Sequence, residues 1–352
     1  MLFTKDNKSS HDHSAGGHIA LPTTAPALMA KIRDAGICPI HDTAALKKIA
    51  PDTGFVHAEH DLMSCTAIAG TAEKSSQGAN SNTFSLQPGT PEYLFELTLG
   101  NSFGPQQRQH EIRETVGGHE VFQFQFSDSD LARTDTDSCE YNLPFTGLEF
   151  SAHLRVRKFV VGQADQTLNW PERCQVAKSY LGDIADKVLE LKKRTNKPEN
   201  PLTGKDPCAT RSNLAGMFPG WTAAAVAYIN PYECFITFTK QGESYAQKLD
   251  IAWDLDAEPG TGSIDPSTQV QRVQIGGLSG VRSCDQMQCS ESMIVKPAEP
   301  NFANSATLIR LTLSTETSAA PTQLGQPAPS IPAPSADLVG KATELVISGI
   351  SS

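Results

Sequence analysis

The sequence predicts an α+β fold: two tandem domains, each an antiparallel sheet packed against helices and stapled by disulfides. Three observations predict it. A cysteine-bounded stretch occurs twice, with Cys38 and Cys65 27 residues apart and Cys208 and Cys234 26 apart. Each first cysteine touches a proline (Cys38-Pro39; Pro207-Cys208) and precedes a short helical run, and each second cysteine opens a strand-like run. The eight cysteines divide evenly between the halves, which reads as a disulfide framework in an oxidising compartment rather than scattered buried thiols. Finally, stretches alternating apolar and polar residues recur in each half ahead of one closing amphipathic helix. A bridge over a loop of about 27 residues adds about 3–4 kcal/mol on a chain-entropy argument.

A chain of 352 residues suffices for two domains with real cores. Its net charge of −10 argues against binding nucleic acid or an anionic membrane through bulk charge. Apolar runs such as Ala223 to Ala227 are too short for a transmembrane segment. Met1 to Gly17 holds no apolar leader core, which stands against the compartment the cysteines indicate.

Residues 1–26 read as a disordered arm rich in Ser, Gly, His and Pro. The first domain is expected over 27–195. Pro26 to Ile37 suits a lead-in helix, and Asp42-Thr43 an N-cap for a helix that Pro51 stops. Leu62 to Ala69 reads as the strand carrying Cys65, and Thr71 to Pro91 as a long loop. Tyr93, Phe95, Leu97 and Leu99 alternate along a half-buried strand. Gly117-Gly118 between His110–Val116 and Glu120–Phe126 reads as a hairpin. Glu140 to Phe145 and Leu148 to Val160 form another strand pair. The closing helix, Pro171 to Lys193, carries Cys174, Ala177, Leu181, Ile184, Val188 and Leu191 on one stripe. Cys174 therefore faces the sheet and is placed to bridge Cys139.

Residues 196–207 read as a proline-rich linker, and 208–352 as a second domain that replays the order. Its strands are Cys234–Thr239, Lys248–Leu255, Val270–Ile275, Cys289–Val295 and Thr307–Leu313. Its last helix, Ala336 to Ile350, has Leu338, Ala342, Leu345 and Val346 on its apolar side. Gly276 matches Gly117 and Cys289 matches Cys139, but Asp337 takes the place of Cys174. The remaining cysteine, Cys284, is five residues before Cys289, so a local Cys284–Cys289 loop is expected instead.

These landmarks resemble a family of secreted and lipid-anchored actinobacterial domains of unknown function. The second domain carries the likeness best: Asp206-Pro207-Cys208, a helix, Cys234 on the first strand, the Gly276-Gly277-Leu278 turn, Cys289 before a strand and a terminal helix. The unit is also similar to the extracellular sensor domain of a mycobacterial serine/threonine kinase, which has a similar pair of bridges. The resemblance implies an α+β fold and an envelope location. It brings no catalytic residues.

The catalytic and nucleotide motifs G-x-S-x-G, H-E-x-x-H, the P-loop, G-x-G-x-x-G and C-x-x-C are absent. His11, His13 and His18 are potential metal ligands, but a solvated tail is favoured. His57, Glu59, His60 and Asp61 are zinc-ligand types, but the second domain has Ala225, Tyr228 and Ile229 there, and a surface loop is favoured. His110, Glu111 and His119 flank the hairpin and offer acid–base groups, against a solvated hairpin face. Asp128, Asp130, Asp135 and Asp137 are spaced like calcium ligands but lack the EF-hand glycine and glutamate. Phe122, Phe124, Phe126 and Trp253 either line an apolar cleft between sheet and helix or form ordinary core.

No catalytic, cofactor-binding or metal residue is assigned. The leading reading is a non-catalytic extracytoplasmic envelope protein that binds an envelope protein or a small-molecule or lipid ligand. The alternatives are an enzyme acting on envelope material through groups near His110 and His119, and a structural subunit of a surface assembly.

Overall fold

A computed structural model describes residues 24–49, 54–70, 72–73, 85–86, 91–124, 138–160, 170–195, 200–259, 270–298, 305–317 and 332–351. They form two seven-stranded antiparallel sheets, each packed on helices, so the chain is α+β with two disulfide-stapled domains.

The first sheet comprises β1 (Gly54–Asp61), β2 (Ser64–Gly70), β5 (Pro91–Ser102), β6 (Ile112–Val116), β7 (His119–Gln123), β8 (Ser138–Pro144) and β9 (Phe150–Val160). Strands β3 (Ala72–Glu73) and β4 (Ser85–Leu86) make a separate short ladder. The second sheet comprises β10 (Thr222–Asn230), β11 (Glu233–Thr239), β12 (Tyr245–Ala257), β13 (Val270–Ile275), β14 (Leu278–Cys284), β15 (Gln288–Lys296) and β16 (Ser305–Thr317). The spatial orders are β1-β2-β5-β9-β8-β7-β6 and β10-β11-β12-β16-β15-β14-β13, the same path through both sheets. Both β6–β7 and β13–β14 turn through two glycines at positive φ, 59° and 83° for Gly117-Gly118 and 58° and 83° for Gly276-Gly277. This is the type I′ geometry, which a side chain at either position would strain.

The helices are α1 (Ala25–Asp34), α2 (Thr43–Ile49), α3 (Pro105–Arg108), α4 (Trp170–Glu190), α5 (Arg211–Ala215) and α6 (Ala336–Ser351). Helix α4 lays Ala177, Tyr180, Leu181, Ile184 and Val188 on the inward residues Phe95, Leu97, Tyr141, Leu154 and Val156, all buried. Burying each large apolar side chain stabilises by about 1.5–3 kcal/mol. Asp42 caps α2, accepting from the backbone N–H of Ala44 and Ala45. His41 keys this segment to the core. Its Nε2 donates to the Cys65 carbonyl at 2.9 Å, which leaves Nδ1 to accept from the Tyr180 hydroxyl at 2.8 Å.

Three local expectations change. His57–Asp61 belong to β1, not to a loop, because that stretch pairs in register with β2 from Gly54↔Gly70 to Ala58↔Thr66. Within Thr71 to Pro91, expected as a loop, Ala72–Glu73 and Ser85–Leu86 pair as β3 and β4. The apolar stripe of α6 is turned from the expected one. Val339, Ala342, Thr343, Val346 and Ile347 are buried, while Leu338 and Leu345 flank them half-buried, because Ile347 must sit against the Gly276 turn.

The domains are packed on one another, and the 196–207 segment is no bare tether where it is described. Leu202 is fully buried, and Asn200 Nδ2 donates to Thr307 Oγ1 at 2.9 Å. Arg33, at the end of α1, is buried at the junction. Its Nη1 donates to the Pro231 carbonyl at 2.8 Å, its Nη2 lies 3.4 Å from Asp206 Oδ2, and its guanidinium lies 5.6 Å from the centroid of the Tyr228 ring. Asp206 also accepts from the Tyr228 hydroxyl and the Cys208 N–H. Gly100, at a bulge in β5 with φ +82°, lets the two halves close up: a Cβ there would lie 2.7 Å from the Pro231 ring.

Candidate functional site

All eight cysteines are bonded: Cys38–Cys65, Cys139–Cys174, Cys208–Cys234 and Cys284–Cys289. Cys38–Cys65 and Cys208–Cys234 tie the opening segment of each domain to its second strand. The other two bridges differ in kind. Cys139 on β8 reaches out of the sheet to Cys174 on α4, under the Gln123 amide, which lies 3.2 Å from the Cys174 sulfur. Cys289 starts β15 as Cys139 starts β8, but it bonds within the sheet, to its register partner Cys284 on β14. Helix α6 therefore has no covalent tie to its sheet.

Where that tie is missing, the second domain has a polar cleft of about 360 Å³. One wall is the β13–β14 turn (Gln274, Ile275, Gly276), and the other is α6 (Asp337, Gly340, Lys341, Glu344), with Arg282 between them. Arg282 faces Glu291 across the β14–β15 ladder and pairs with it through both Nε and Nη2 on one oxygen, Oε1. Glu291 is fully buried, and its Oε2 has no hydrogen-bond partner among the described residues. Gly340 passes directly over this pair: a Cβ there would lie 2.7 Å from Arg282 Nη2. Gly340 thus marks where α6 meets the Arg282–Glu291 rung, the next rung on that face from Cys284–Cys289.

The cleft is built from a departure in pattern. Inward positions on β15 run Cys289, Glu291, Met293, where β8 has Cys139, Tyr141, Leu143. A carboxylate in an apolar phase needs a partner, and Arg282 on the paired strand supplies it. That signal is readable in the sequence as a charge at an inward position. Its partner is visible only once the register is known.

The histidine candidates do not converge. His119 turns toward α4, where Nε2 lies 2.8 Å from Asp186 Oδ1, and His110 is exposed. Glu111 lies on the opposite face of the sheet and accepts from Asn142 Nδ2 at 3.1 and 3.2 Å. Burial pushes the Glu111 carboxyl above its ordinary range, with Asn142 opposing. On that same outer face burial also works against the charge of Glu140. The hydrogen bond and charge of His153, the Ser138 hydroxyl and Arg155 together outweigh it and hold Glu140 below its ordinary range. Sequence reasoning missed this network, because Glu140, His153 and Arg155 are the polar phase of strands expected to face solvent.

Phe122 packs edge-on against Phe103 on this outer face, so it does not line a sheet–helix cleft, and Phe124 is exposed. Trp253 is buried beside Tyr232 in the core of the second domain. The side chains of His57, Glu59, His60 and Asp61, and all of His11, His13, His18, Phe126, Asp128, Asp130, Asp135 and Asp137, lie outside the described residues. Among the described residues, no three His, Cys, Asp or Glu side chains group as metal ligands, and no helix is long and apolar enough to cross a membrane.

Comparison with known proteins finds no matching family and no matching curated protein. Among solved structures the chain is similar to the di-domain ARO/CYC StfQ from the steffimycin biosynthetic pathway, at 12% identity over 90% of this chain and 92% of that one, with a TM-score of 0.15. It is also similar to MucB, at 11% identity over 78% and 90%, with a TM-score of 0.12. At such scores neither likeness bears on fold or function.

Proposed function

We propose that the chain is a non-catalytic extracytoplasmic protein built from two copies of one disulfide-stapled unit, and that its second copy binds a small polar ligand between the β13–β14 turn and α6. The observation that carries the ligand site is the cleft itself. The first copy closes the sheet–helix contact with Cys139–Cys174, whereas the second opens a cavity of about 360 Å³ there, with a charged floor and mixed-charge walls. Sites for small ligands are typically concave spaces of about 300–1,000 Å³ with a few convergent polar groups. The shared strand order and the paired cysteines support duplication. Four bridges support an oxidising compartment. The cysteine, proline and glycine landmarks support kinship with the actinobacterial envelope domains they resemble.

The test is amide-shift mapping on isotope-labelled protein titrated with a wall-type peptide, a glycan fragment and a lipid headgroup phosphodiester. Saturable shifts confined to 274–284 and 337–344, abolished by Arg282→Ala, are expected for at least one probe. Saturable shifts centred elsewhere, or none with any probe, would overturn the assignment of this cleft.

A further inference from the structure

We infer that Cys284–Cys289 is a thiol–disulfide exchange site, opened by a dithiol while the fold stands, and that its state sets how firmly the floor of the α6 cleft is held. The second half of this inference rests on the cleft being the binding site; the first half does not.

Three rungs of the β14–β15 ladder share one face, because side chains repeat every two residues along a strand. They are Gly280↔Met293, Arg282↔Glu291 and Cys284↔Cys289. Glu291 and Met293 are buried, and Arg282 lines the cleft, so this face is the one turned to α6. The disulfide is therefore the rung next to the ion pair under Gly340. It clamps the end of the ladder on which that pair stands.

Loop length separates this bridge from the other three. It spans 5 residues, against 27, 35 and 26. The stabilisation from cross-linking grows with loop length, so this is the bridge whose loss costs the fold least. Cys284 is half-buried beside the turn Asp285 to Met287, and Met287 is 56% exposed. Cys38 and Cys174 are half-buried as well, the latter with the Gln123 amide beside it, whereas Cys208 and Cys234 are both fully buried. The turn does not depend on the bridge. Asp285 Oδ1 accepts from the N–H groups of Met287 and Gln288, at 2.7 and 2.8 Å, and the Asp285 N–H donates to the Gln288 carbonyl. Reduced cysteines thus stay opposite one another and can close again.

The chemistry is a two-electron exchange. One thiolate of the dithiol attacks the Cys284 sulfur, forming a mixed disulfide and releasing the Cys289 thiolate, which takes a proton. The second thiol, as thiolate, attacks the sulfur of the first, releasing the Cys284 thiolate, which is also protonated. The dithiol leaves as a disulfide, and the protein gains two electrons and two protons. The Arg282–Glu291 rung then ends a ladder held by hydrogen bonds alone, under a helix that no bridge retains.

The test has two arms. In the first, native protein is exposed to graded dithiothreitol, alkylated and mapped by peptide mass spectrometry, with circular dichroism in parallel. Labelling of Cys284 and Cys289 ahead of the other six, with an unchanged spectrum, is expected. Another pair labelled first, or all eight together with unfolding, overturns the exchange site. In the second, hydrogen exchange is compared between wild type and Cys284→Ser/Cys289→Ser. Exchange at 278–284 and 336–347 should rise at least about threefold, with α4 unaffected. Unchanged exchange there overturns control of the cleft. Neither readout needs a ligand, so this inference and the ligand assignment fail separately.

Discussion

Replacing Arg33 by alanine tests whether the two domains are coupled as the junction implies. Arg33 has 4% of its side chain exposed and Asp206 30%, at 3.4 Å. Removing one partner of a fully buried pair costs about 3–5 kcal/mol. Asp206 is partly solvated and keeps Tyr228 and the Cys208 N–H, so its share is nearer 2 kcal/mol. The Pro231 carbonyl loses a charged donor at 2.8 Å, and the Tyr228 ring loses the guanidinium over its face; together these add about 1–2 kcal/mol. Weakening the junction by about 3 kcal/mol changes the ratio of separated to docked domains by about two orders of magnitude. Urea unfolding should then resolve two transitions where wild type shows more overlap, and small-angle scattering should give a larger radius of gyration. Arg33→Lys should not rescue, since an ammonium cannot both reach Pro231 and stack on Tyr228. A stability loss below about 0.5 kcal/mol with unchanged scattering would refute the reasoning.

Three further outcomes are expected. Heating with strong reductant should lower the melting temperature by about 10 °C or more, since each wide bridge adds about 3–4 kcal/mol and a domain of this size shifts by about 2–4 °C per kcal/mol; an unchanged melting temperature would remove the bridges as staples. Glu291→Gln should lower the urea stability of the second domain by about 2 kcal/mol, by leaving the Arg282 charge poorly compensated, and an unchanged midpoint would show that the pair contributes nothing. The third outcome concerns pH. Burial pushes the carboxyls of Asp250 and Asp254 above their ordinary range, opposed by Lys248 and Arg310 respectively. Such a group favours the fold below its ordinary pKa, and that benefit is lost as pH rises through the elevated value. Asp250→Asn should therefore raise the melting temperature at pH 7 and leave it unchanged near pH 3. Glu140 has the opposite sign, so Glu140→Gln should destabilise at pH 7, with the effect fading as pH falls through its depressed pKa.

Local pattern made most elements readable from the sequence. Asp42 before α2 is a capping signal, and Gly117-Gly118 and Gly276-Gly277 are turn signals, because backbone chemistry restricts which residues those places accept. The stripe from Cys174 to Leu191 pointed one face of α4 at the sheet. The edge strand β1 was missed, because His57–Asp61 carry no clean alternation and are strand by virtue of pairing with β2. The rotation of α6 was missed for a related reason: Leu338 and Leu345 are as apolar as Val339 and Val346, and only contact with Gly276 decides between them. The cleft was least readable. Its parts come from β13, β14, β15 and α6, and the charge at Glu291 becomes informative only when Arg282 is seen opposite it. Arg33 was invisible for the same reason, since nothing near α1 shows that Pro231 and Asp206 will close over it.

The different partners of Cys139 and Cys289 have a consequence for how each domain can come apart. A protease cut between 160 and 170 would leave α4 attached to its sheet through Cys174. A cut between 317 and 335 would leave α6 as a separate peptide, held only by Val339, Ala342, Val346, Ile347 and their neighbours. That peptide is exchangeable by mass action: it can be washed out, replaced by a synthetic copy, or displaced by another helix with the same apolar stripe. The second domain is in this sense a receptor for its own last helix.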